Sequence, residues 1–386
     1  MRIAVLNRQF KATGGGAERY SIALVEQLAA RHEIHVFAQQ IEHEWQGVTY
    51  HRIAAPLTRP RWINQIWFAL ATWRATRRGF DVVHSHENTW HGQVQTVHVV
   101  PVRFSLFQGR TGVRLALRWL KVITSPRLLT YLGMEHLRYR VQDHRCVVVT
   151  SESLKVTMLD SFPQSSGMLS VVTPGVASVP GAASEMERLG ARDALGLPRS
   201  GRCLLFVGND YRKKGLDTLL QSVASLPPEI YVAVVGNAAH IAAYRDTVRS
   251  LGLQDRVFFL GALDDVGPAY QAADALVHPT REDTFAMVVL EAMAHGLPVV
   301  VSSARFCGIS GLLRDGENAL ILVDPHDVPA LTQTLERLFA EPELNARLRI
   351  NGLAFAKRHL WSQVAQSQER LYASCCAGVT EDVPRR

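Results

Sequence analysis

The chain has 386 residues, 47% of them hydrophobic and 20% charged, a composition that excludes a disordered protein and allows two domains of ordinary size. No apolar run is long enough to cross a bilayer, so we expect a protein that is soluble or lies on a membrane surface. The net charge of +7 is uneven, because residues 1–175 carry 21 Lys and Arg against 11 Asp and Glu, whereas the rest has a slight acidic excess. Such a basic field predicts a polyanionic partner: phospholipid, nucleic acid or a phosphorylated substrate.

The cysteines and the first residues predict a cytoplasmic protein. The five cysteines are odd in number and lack metal-ligand spacing, and Cys375 and Cys376 are adjacent, which indicates a reducing compartment. The sequence MRIAVLNRQF passes directly into a strand pattern, without the apolar stretch of a signal peptide.

Short apolar runs alternate with segments of helical periodicity, which is typical of a parallel α/β architecture. The runs that predict strands in the first half are Ile3–Leu6, Ile34–Phe37, Val82–His84, Gln95–Val99 and Cys146–Thr150. Those in the second half are Cys203–Val207, Tyr231–Val235, Arg256–Leu260, Ala275–His278, Pro298–Val301 and Ala319–Leu322. Helices are predicted at Arg19–Ala30, Leu216–Ser225 and Val328–Phe339.

The two series of strands are separated by a stretch rich in Gly, Pro and Ser, TPGVASVPGAAS at Thr173–Ser184, which predicts an interdomain linker. We therefore expect two domains, at residues 1–175 and 176–360. Ligands of parallel sheets bind beyond the carboxyl ends of the strands, so a cleft between two such sheets is a natural nucleotide site.

Three consecutive glycines, Gly14, Gly15 and Gly16, stand between the first strand and the first helix. Glycine lets the backbone approach a ligand closely, and a helix N-terminus presents free N–H groups to an anion. An ordinary flexible loop accounts for the cluster about equally well. The cluster does not match G-x-G-x-x-G, and no acidic ribose anchor stands at the end of the second strand, where the sequence is FAQQ, which disfavours a nicotinamide enzyme.

Three histidines, His84, His86 and His91, lie at and after one predicted strand. The H-x-H pattern places two of the side chains on one face, so a zinc site is one interpretation. Because no paired cysteines or further clustered ligands accompany them, a structural or acceptor-side role is favoured.

The segment Val113–Thr124 (VRLALRWLKVIT) has helical spacing that puts basic and apolar residues on different faces. With Trp119 and flanking arginines, this pattern suits a helix on an anionic lipid surface. Two alternatives stay open, namely an amphipathic helix packed on its own domain and a pocket for a phosphorylated acceptor.

Three adjacent cations, Arg212, Lys213 and Lys214, stand between the end of a strand and Gly215. At the carboxyl end of a strand, such cations can clamp a diphosphate and neutralise the charge that develops on a leaving nucleoside diphosphate. The alternative is a solvated basic turn, and the position at the strand end favours the clamp.

The segment from His278 to Ser302 is the most specific part of the sequence. The acidic pair Glu282 and Asp283 follows a strand, and Glu291 is expected about two turns into the next helix. Carboxylates there can accept hydrogen bonds from sugar and ribose hydroxyls. Amides at the start of the helix can face a phosphate, and these belong to Thr284, Phe285, Ala286 and Met287. Helix capping is the alternative, and it accounts for Glu282 and Asp283 better than for Glu291.

These motifs resemble those of the retaining glycosyltransferases of family 4, whose hallmark is E-x7-E in the setting P-S-x-x-E-G-F-G-x-x-x-x-E-A-M-A-x-G-x-P-V-V. This chain matches from Pro279 to EAMAHGLPVV and again at GENALIL. Further matches are GGGAER, DVVHSH, TVHVVP, YRKKG, FFLGAL and AYQAADALVHP, so the resemblance covers most of the chain. It implies the GT-B fold, an α/β fold with two Rossmann-like domains facing a central cleft. In that fold the first domain binds the acceptor, the second binds the nucleotide-sugar donor, and a C-terminal helix at about 361–380 packs back on the first.

The resemblance also implies roles for individual residues. Asp283 would bind hydroxyls of the donor sugar, and Glu291 would hold the ribose. Lys214, with Arg212 or Lys213, would contact the diphosphate. The remaining assignments are His98, as the active-site histidine beside the transferred sugar, and Gly15 and Gly16, which would face the diphosphate or the acceptor.

Three positions depart from the family pattern. The first acidic position is Asp283 instead of Glu, Ala286 replaces the usual Gly, and Asn209 stands where an arginine is common. The Asp/Ala pattern and the YRKKG spacing favour the lipopolysaccharide-core glucosyltransferase branch.

We therefore expect a retaining, metal-independent glycosyltransferase without a cofactor, peripheral on the inner face of the cytoplasmic membrane. It would move a hexose-type sugar from a nucleotide-sugar, with UDP-sugars favoured, to a phosphorylated glycolipid or polysaccharide acceptor in lipopolysaccharide biosynthesis. A GT-B-fold nucleotide-sugar epimerase is one alternative. A basic nucleic-acid-binding protein is another, although no recognised binding motif accompanies the charge.

Overall fold

A computed structural model of the protein describes residues 1–11, 15–57 and 59–377. The chain divides into two compact units, one formed by Met1–Pro174 with the stretch that begins at Trp361, the other by Gly175–Leu360. The division lies one residue before the one expected from the linker. No helix in the described ranges has the length and apolar character needed to cross a membrane.

The strands follow one another in chain order through both units. In the first unit they are β1 (Arg2–Leu6), β2 (Gln9–Phe10), β3 (Glu33–Ala38), β4 (Gln40–Ile41), β5 (Val48–Arg52), β6 (Val82–Ser85), β7 (Val94–Val97), β8 (Cys146–Val149) and β9 (Leu169–Val171). In the second they are β10 (Arg202–Val207), β11 (Ile230–Val235), β12 (Val257–Gly261), β13 (Ala275–His278), β14 (Val299–Ser302) and β15 (Leu320–Leu322).

The helices fill the connections between these strands. Up to the linker they are α1 (Gly16–Ala29), α2 (Arg61–Thr76), α3 (Val102–Phe107), α4 (Gly112–Ile123), α5 (Pro126–Arg138) and α6 (Glu152–Ser161). Beyond it they are α7 (Glu185–Ala194), α8 (Leu216–Ser225), α9 (Ile241–Ser250), α10 (Gly267–Ala272), α11 (Met287–Ala294), α12 (Val328–Ala340), α13 (Pro342–Ala356) and α14 (Trp361–Ala377).

The first unit is built on a parallel sheet in the order β5-β3-β1-β6-β7-β8-β9. Its inner strands are buried on both faces by helices, which is why β1 and β8 read as nearly continuous apolar runs. The edge strands β5 and β9 were not predicted because they are only partly buried and carry no continuous apolar run. The helix α14 packs on α1, where the ring of Trp361 meets Tyr20 edge-on at 5.0 Å.

The second unit is built on a parallel sheet in the order β12-β11-β10-β13-β14-β15. Every strand predicted from the sequence is present in one of the two sheets, with bounds within two residues of the prediction. The helix α1 begins three residues earlier than predicted, so Gly16 is its first residue and not part of a loop. Gly14 lies outside the described residues.

Candidate active site

The sheet of the second unit has a switch point in its strand order. β10 is flanked by β11 on one side and by β13 on the other, so the chain first runs from β10 to β11 and β12 on one side and then crosses back to β13 on the other. Ligands of open α/β sheets bind beyond the carboxyl ends of the strands at such a point. The loop 208–215 and the loop 279–286 leave β10 and β13 there, and they carry the predicted cations and acids.

The two loops pack backbone against backbone. Gly215 has φ of +82°, and a Cβ atom there would lie 1.9 Å from the carbonyl oxygen of Pro279, so only glycine fits. The amide of Arg281 donates to the carbonyl oxygen of Lys213 at 2.9 Å. The cations therefore stand on a loop whose path is fixed by the acidic loop beside it.

Lys214 and Asp283 meet across the two loops. Lys214 Nζ donates to Asp283 Oδ2, and His278 Nε2 lies 3.3 Å from the same oxygen. The other oxygen, Oδ1, accepts the amides of Phe285 at 3.2 Å and Ala286 at 2.8 Å. Burial alone would raise the pKa of Asp283, but the hydrogen bond from His278 and the charge of Lys214 hold it well below its ordinary value. Asp283 is therefore an anion at neutral pH.

The other two cations face outward. Arg212 and Lys213 are exposed, and Lys213 Nζ pairs with Glu282 Oε1 at 2.7 Å on the surface. Of the three predicted clamp residues, Lys214 is the one that the fold partly buries beside the acidic loop.

The helix α11 begins at Met287, directly after Ala286, which has φ of +72°. This is the left-handed region, which alanine enters at a cost and glycine without one. The amides of Phe285 and Ala286 donate to Asp283, which occupies two of the four amides that the sequence assigned to a phosphate. Thr284 and Met287 flank them.

Glu291 lies near the middle of α11. The prediction of about two turns is wrong, because the helix starts at Met287 and Glu291 is therefore just over one turn in. Its Oε2 accepts a hydrogen bond of 2.7 Å from the hydroxyl of Tyr270, whose ring stacks on His295 at 5.1 Å. Tyr270 is buried on α10 and orients the carboxylate.

In the first unit, histidines on β6 and just after β6 and β7 form a cluster in which His84 is buried and His86 and His98 are partly buried. His86 Nδ1 lies 2.9 Å from His98 Nε2, and the two rings stack 5.2 Å apart. His84 is held by the hydroxyls of Tyr372 and Thr96, each at 2.6 Å. Neighbouring parallel strands bring these side chains together, because β6 pairs with β7.

These histidines are neutral at physiological pH. Burial lowers the pKa of His84 and of His98 to about 3, and it also holds the pKa of His86 well below its ordinary value. Each ring therefore has one N–H donor and one acceptor nitrogen. Within the described residues, no group of three or more His, Cys, Asp and Glu side chains is arranged to hold a metal ion.

The predicted glycines stand at the start of α1. Gly15 precedes the helix, and a Cβ atom there would lie 3.1 Å from Glu18 Oε2. A Cβ atom on Gly16 would meet nothing within 4 Å, so packing does not account for that glycine.

Comparison with known proteins identifies the family. Residues 14–178 match the family model described as Glycosyltransferase Family 4, and residues 201–341 match the model described as Glycosyl transferases group 1. The chain belongs to the family 4 glycosyltransferases. The D-inositol 3-phosphate glycosyltransferase of Corynebacterium diphtheriae is 31% identical over 227 residues, which are 55% of this chain and 51% of that protein. The chain thus spans about half the length of the curated relatives it matches.

Solved structures share the architecture over almost the whole length. WaaG, a glycosyltransferase involved in lipopolysaccharide biosynthesis, matches with a TM-score of 0.82 and 19% identity over 96% of this chain and 99% of its own. Anabaena Alr3699/HepE in complex with UDP-glucose matches with a TM-score of 0.77 and 18% identity over 97% and 100%. At these identities the likeness shows the fold, and the fold is GT-B.

The sequence pointed to His86 but not to its contact with His98. It did not point to two further side chains that hold predicted residues, Tyr270 on Glu291 and His278 on Asp283. Both lie in the motif AYQAADALVHP, which was the available signal.

Proposed function

We propose that this chain transfers a hexose-type sugar, with retention of anomeric configuration, from a nucleotide-sugar to a glycolipid or polysaccharide acceptor in lipopolysaccharide biosynthesis. One observation carries the proposal: Lys214 and Asp283 lie on the loops that follow β10 and β13, and Glu291 lies on the helix α11 that comes next. These elements meet at the switch point of the sheet in the second unit. UDP-sugars are the favoured donors, and the UDP-glucose complex of the similarly folded Alr3699/HepE supports that choice.

Each residue of the candidate site has a role that follows from its chemistry. Lys214, aided by Arg212 and Lys213, neutralises the charge that grows on the diphosphate as the bond to the sugar breaks, so no metal ion or cofactor is needed. Glu291, oriented by Tyr270, accepts hydrogen bonds from the ribose hydroxyls. His98 is neutral and offers the transferred sugar one hydrogen bond. The departing phosphate oxygen takes the proton of the acceptor hydroxyl as the new glycosidic bond forms on the same face.

A donor panel tests the activity. The wild-type protein is incubated with UDP-, GDP- and ADP-sugars, with and without lipopolysaccharide-core acceptors, and nucleoside diphosphate release is measured. We expect release with a UDP-sugar, and NMR of the product should show the donor's anomeric configuration. Absence of release with every donor would overturn the proposal, and an epimerised donor formed without acceptor would indicate an epimerase.

The link between His86 and His98 gives a matched pair of variants. His86→Asn keeps a polar atom near the position of Nδ1, whereas His86→Leu removes the hydrogen bond to His98. Because a misplaced group slows catalysis by up to about 100-fold, we expect His86→Leu to lower kcat by about 10-fold and His86→Asn by much less. Equal kcat values for the two variants, at equal thermal stability, would contradict this.

The helix α4 supports docking on an anionic membrane surface. Its apolar residues Val113, Leu117, Leu120 and Ile123 are each at least 60% exposed, so the described part of the unit does not bury this face. Basic side chains on the same helix are Arg114, Arg118 and Lys121. An exposed apolar face bordered by cations is typical of helices that lie in the headgroup region.

Vesicle binding tests this surface. We expect Leu117→Asp with Leu120→Asp to weaken binding to vesicles containing phosphatidylglycerol by about 10-fold or more, since apolar insertion is lost and two negative charges offset part of the attraction of the cations on α4. Binding of the wild type should also weaken with salt and with uncharged vesicles. Unchanged binding of the double variant would exclude α4 as the docking element. If the wild type instead bound random duplex DNA more tightly than the vesicles, a nucleic-acid partner would be favoured.

A further inference from the structure

Two adjoining cavities lie at the edge of the second unit's sheet that is opposite the loops of the candidate donor site. Their volumes are about 210 and 280 Å³, and Asp274 and Arg349 line both of them. Asp274 directly precedes β13, and Arg202, which lines the larger cavity, is the first residue of β10. Because β10 and β13 are parallel, their amino ends lie together, away from the carboxyl ends that Lys214 and Asp283 follow. We call the two cavities the arginine site.

The arginine site carries more arginines than carboxylates. Two carboxylates line the cavities, Asp274 in both and Glu185 in the smaller one. Three guanidinium groups also line the cavities, and a fourth, which is buried, pairs with Asp274. They belong to Arg188, Arg192, Arg202 and Arg349. The site therefore has an excess of two positive charges.

Asp274 neutralises only part of this charge. Its side chain is 4% exposed and already accepts three hydrogen bonds. Oδ1 accepts Nη1 of Arg188 at 2.8 Å, and Oδ2 accepts Nη2 of Arg192 at 2.8 Å and the amide of Cys203 at 2.7 Å. A carboxylate offers about four lone-pair positions, so Asp274 has little capacity for a further cation.

Arg202 and Arg349 have N–H donors to spare. Arg349 makes three hydrogen bonds, to one side-chain oxygen and two carbonyl oxygens, whereas a guanidinium has five N–H donors. The guanidinium of Arg202 lies over the ring of Phe339 at 5.7 Å and has no hydrogen bond among the described residues. Because the arginine fork matches the oxygens of a phosphate, such donors are suited to a phosphate group.

The positive charges of the arginine site also repel one another. Burial lowers the pKa of Arg349, the carboxylate of Asp274 raises it, and the charges of Arg188 and Arg202 lower it again. An anion bound among these side chains relieves the repulsion, which is a physical reason to expect a negatively charged ligand.

The smaller cavity is connected to the donor site through one aromatic side chain. Tyr270 and His295 line this cavity, and their rings stack at 5.1 Å. The hydroxyl of Tyr270 donates to Glu291 at 2.7 Å. A ligand in the cavity therefore lies against the ring whose hydroxyl orients the carboxylate of the donor site.

We propose that the arginine site binds a small molecule with a phosphate group, and that this binding changes the affinity of the donor site through Tyr270 and Glu291. The effect on the donor rests on the proposed function, in which Glu291 holds the ribose, whereas phosphate binding does not depend on it. Coupling between two sites is reciprocal, so the donor changes the affinity for phosphate by the same factor.

Phosphorus NMR of inorganic phosphate tests the site directly. Line broadening gives the dissociation constant, and each protein also carries Lys214→Met, which removes the cation proposed to hold phosphate in the donor site. We expect Arg188→Gln with Arg202→Gln to raise the dissociation constant by about 10-fold or more, because two charged donors are lost. Arg202→Gln alone should raise it by at least about threefold. Since the side chain of Arg202 is exposed, this single variant keeps the test decisive if the double variant fails to fold.

Arg199→Gln is the matched control for Arg202→Gln. It removes the same charge from a nearby side chain that is 67% exposed and pairs with Asp193 at 3.5 Å. We expect the dissociation constant of phosphate to change by less than about 1.5-fold. An equal loss of binding in this control, or unchanged binding in the double variant, would overturn the arginine site. Phosphate binding that disappears with Lys214→Met alone would overturn it too, since the phosphate would then bind in the donor site.

Calorimetry with UDP-glucose tests the effect on the donor site. Its dissociation constant is measured for the wild type and for Arg188→Gln with Arg202→Gln, with and without a saturating concentration of inorganic phosphate. Phosphate competes at the donor site of both proteins, so a difference between them reports on the arginine site. We expect the factor by which phosphate changes the constant to differ by at least about threefold between the two proteins. Equal factors would overturn the coupling.

Tyr270→Phe separates binding from coupling. It keeps the ring in the cavity wall and removes the hydroxyl from Glu291, so phosphate should bind as in the wild type while the coupling is lost. Coupling that persisted in this variant would contradict the route through Tyr270. A wild type that releases no nucleoside diphosphate from any donor would overturn the proposed function, and phosphate binding by NMR would still decide the arginine site.

Discussion

Glu291→Ala is expected to remove most of the thermal stabilisation that a nucleotide-sugar gives to the wild-type protein. A carboxylate that accepts hydrogen bonds from ribose hydroxyls contributes about 1.5–3 kcal/mol for a charged bond, or roughly 10- to 100-fold in affinity. A donor at 100 times its Kd stabilises the folded state by about 2.7 kcal/mol, so a 100-fold loss of affinity removes most of that gain. A thermal shift of about 5–10 °C should fall to about 2 °C or less.

The hydrogen bond from Tyr270 requires a matched variant for this prediction. Glu291→Ala also leaves the buried hydroxyl of Tyr270 without the acceptor at Oε2, which can lower the stability of the free protein by about 1–3 kcal/mol. Glu291→Gln retains an acceptor oxygen for Tyr270 and loses the charge, so it should keep the free protein's stability and still weaken donor binding. Glu336→Ala, at an exposed position on α12, is the control. A donor-induced shift in Glu291→Ala as large as in the wild type would refute the role of Glu291.

Lys214→Met is expected to lower kcat by about 100- to 1000-fold. The reason is that a fixed cation at the leaving diphosphate acts where charge develops, and loss of one such preorganised group typically costs this factor. The partly buried pair with Asp283 holds Lys214 in place, so Lys214→Arg, with its longer and planar head group, should restore only part of the rate. Single-turnover rates with a saturating donor measure the effect on the chemical step.

Lys213→Met provides the comparison within the same loop. Lys213 is exposed and paired with Glu282 at the surface. Its loss should therefore lower kcat by about 10-fold or less, and the size of this decrease should depend on the salt concentration. If Lys213→Met proved more damaging than Lys214→Met, the cation at the diphosphate would be Lys213, and the outward orientation seen in this structure would not be the working one.

The sheets could be predicted from the sequence because of how parallel strands are buried. Strands covered on both faces need apolar side chains at every position, so Ile230–Val235 and Cys146–Val149 are visible as continuous runs. The edge strand Val48–Arg52 is only partly buried and carries no such run. Glycines at bends could also be predicted from the sequence. At Gly215 the reason is steric, because a Cβ atom there would collide with the carbonyl oxygen of Pro279.

The candidate site residues were predictable as a set, whereas their contacts were not. Lys214 and Asp283 are 69 residues apart, and they meet because β10 and β13 are neighbours although two strands separate them in the chain. A motif identifies Asp283 but does not show where its carboxylate points. The direction is set by the amides of Phe285 and Ala286, just before α11, and by the ring of His278.

The sequence by itself determined that this is a two-unit parallel α/β protein with the motifs of a family 4 glycosyltransferase, because burial and family motifs are local properties of residue type and spacing. The tertiary structure decided which of those residues hold one another. Asp283 faces inward to Lys214 and His278, and Tyr270 orients Glu291. The physical reason is that a hydrogen bond depends on atoms within about 3 Å of each other, and strand order, not sequence spacing, sets that distance.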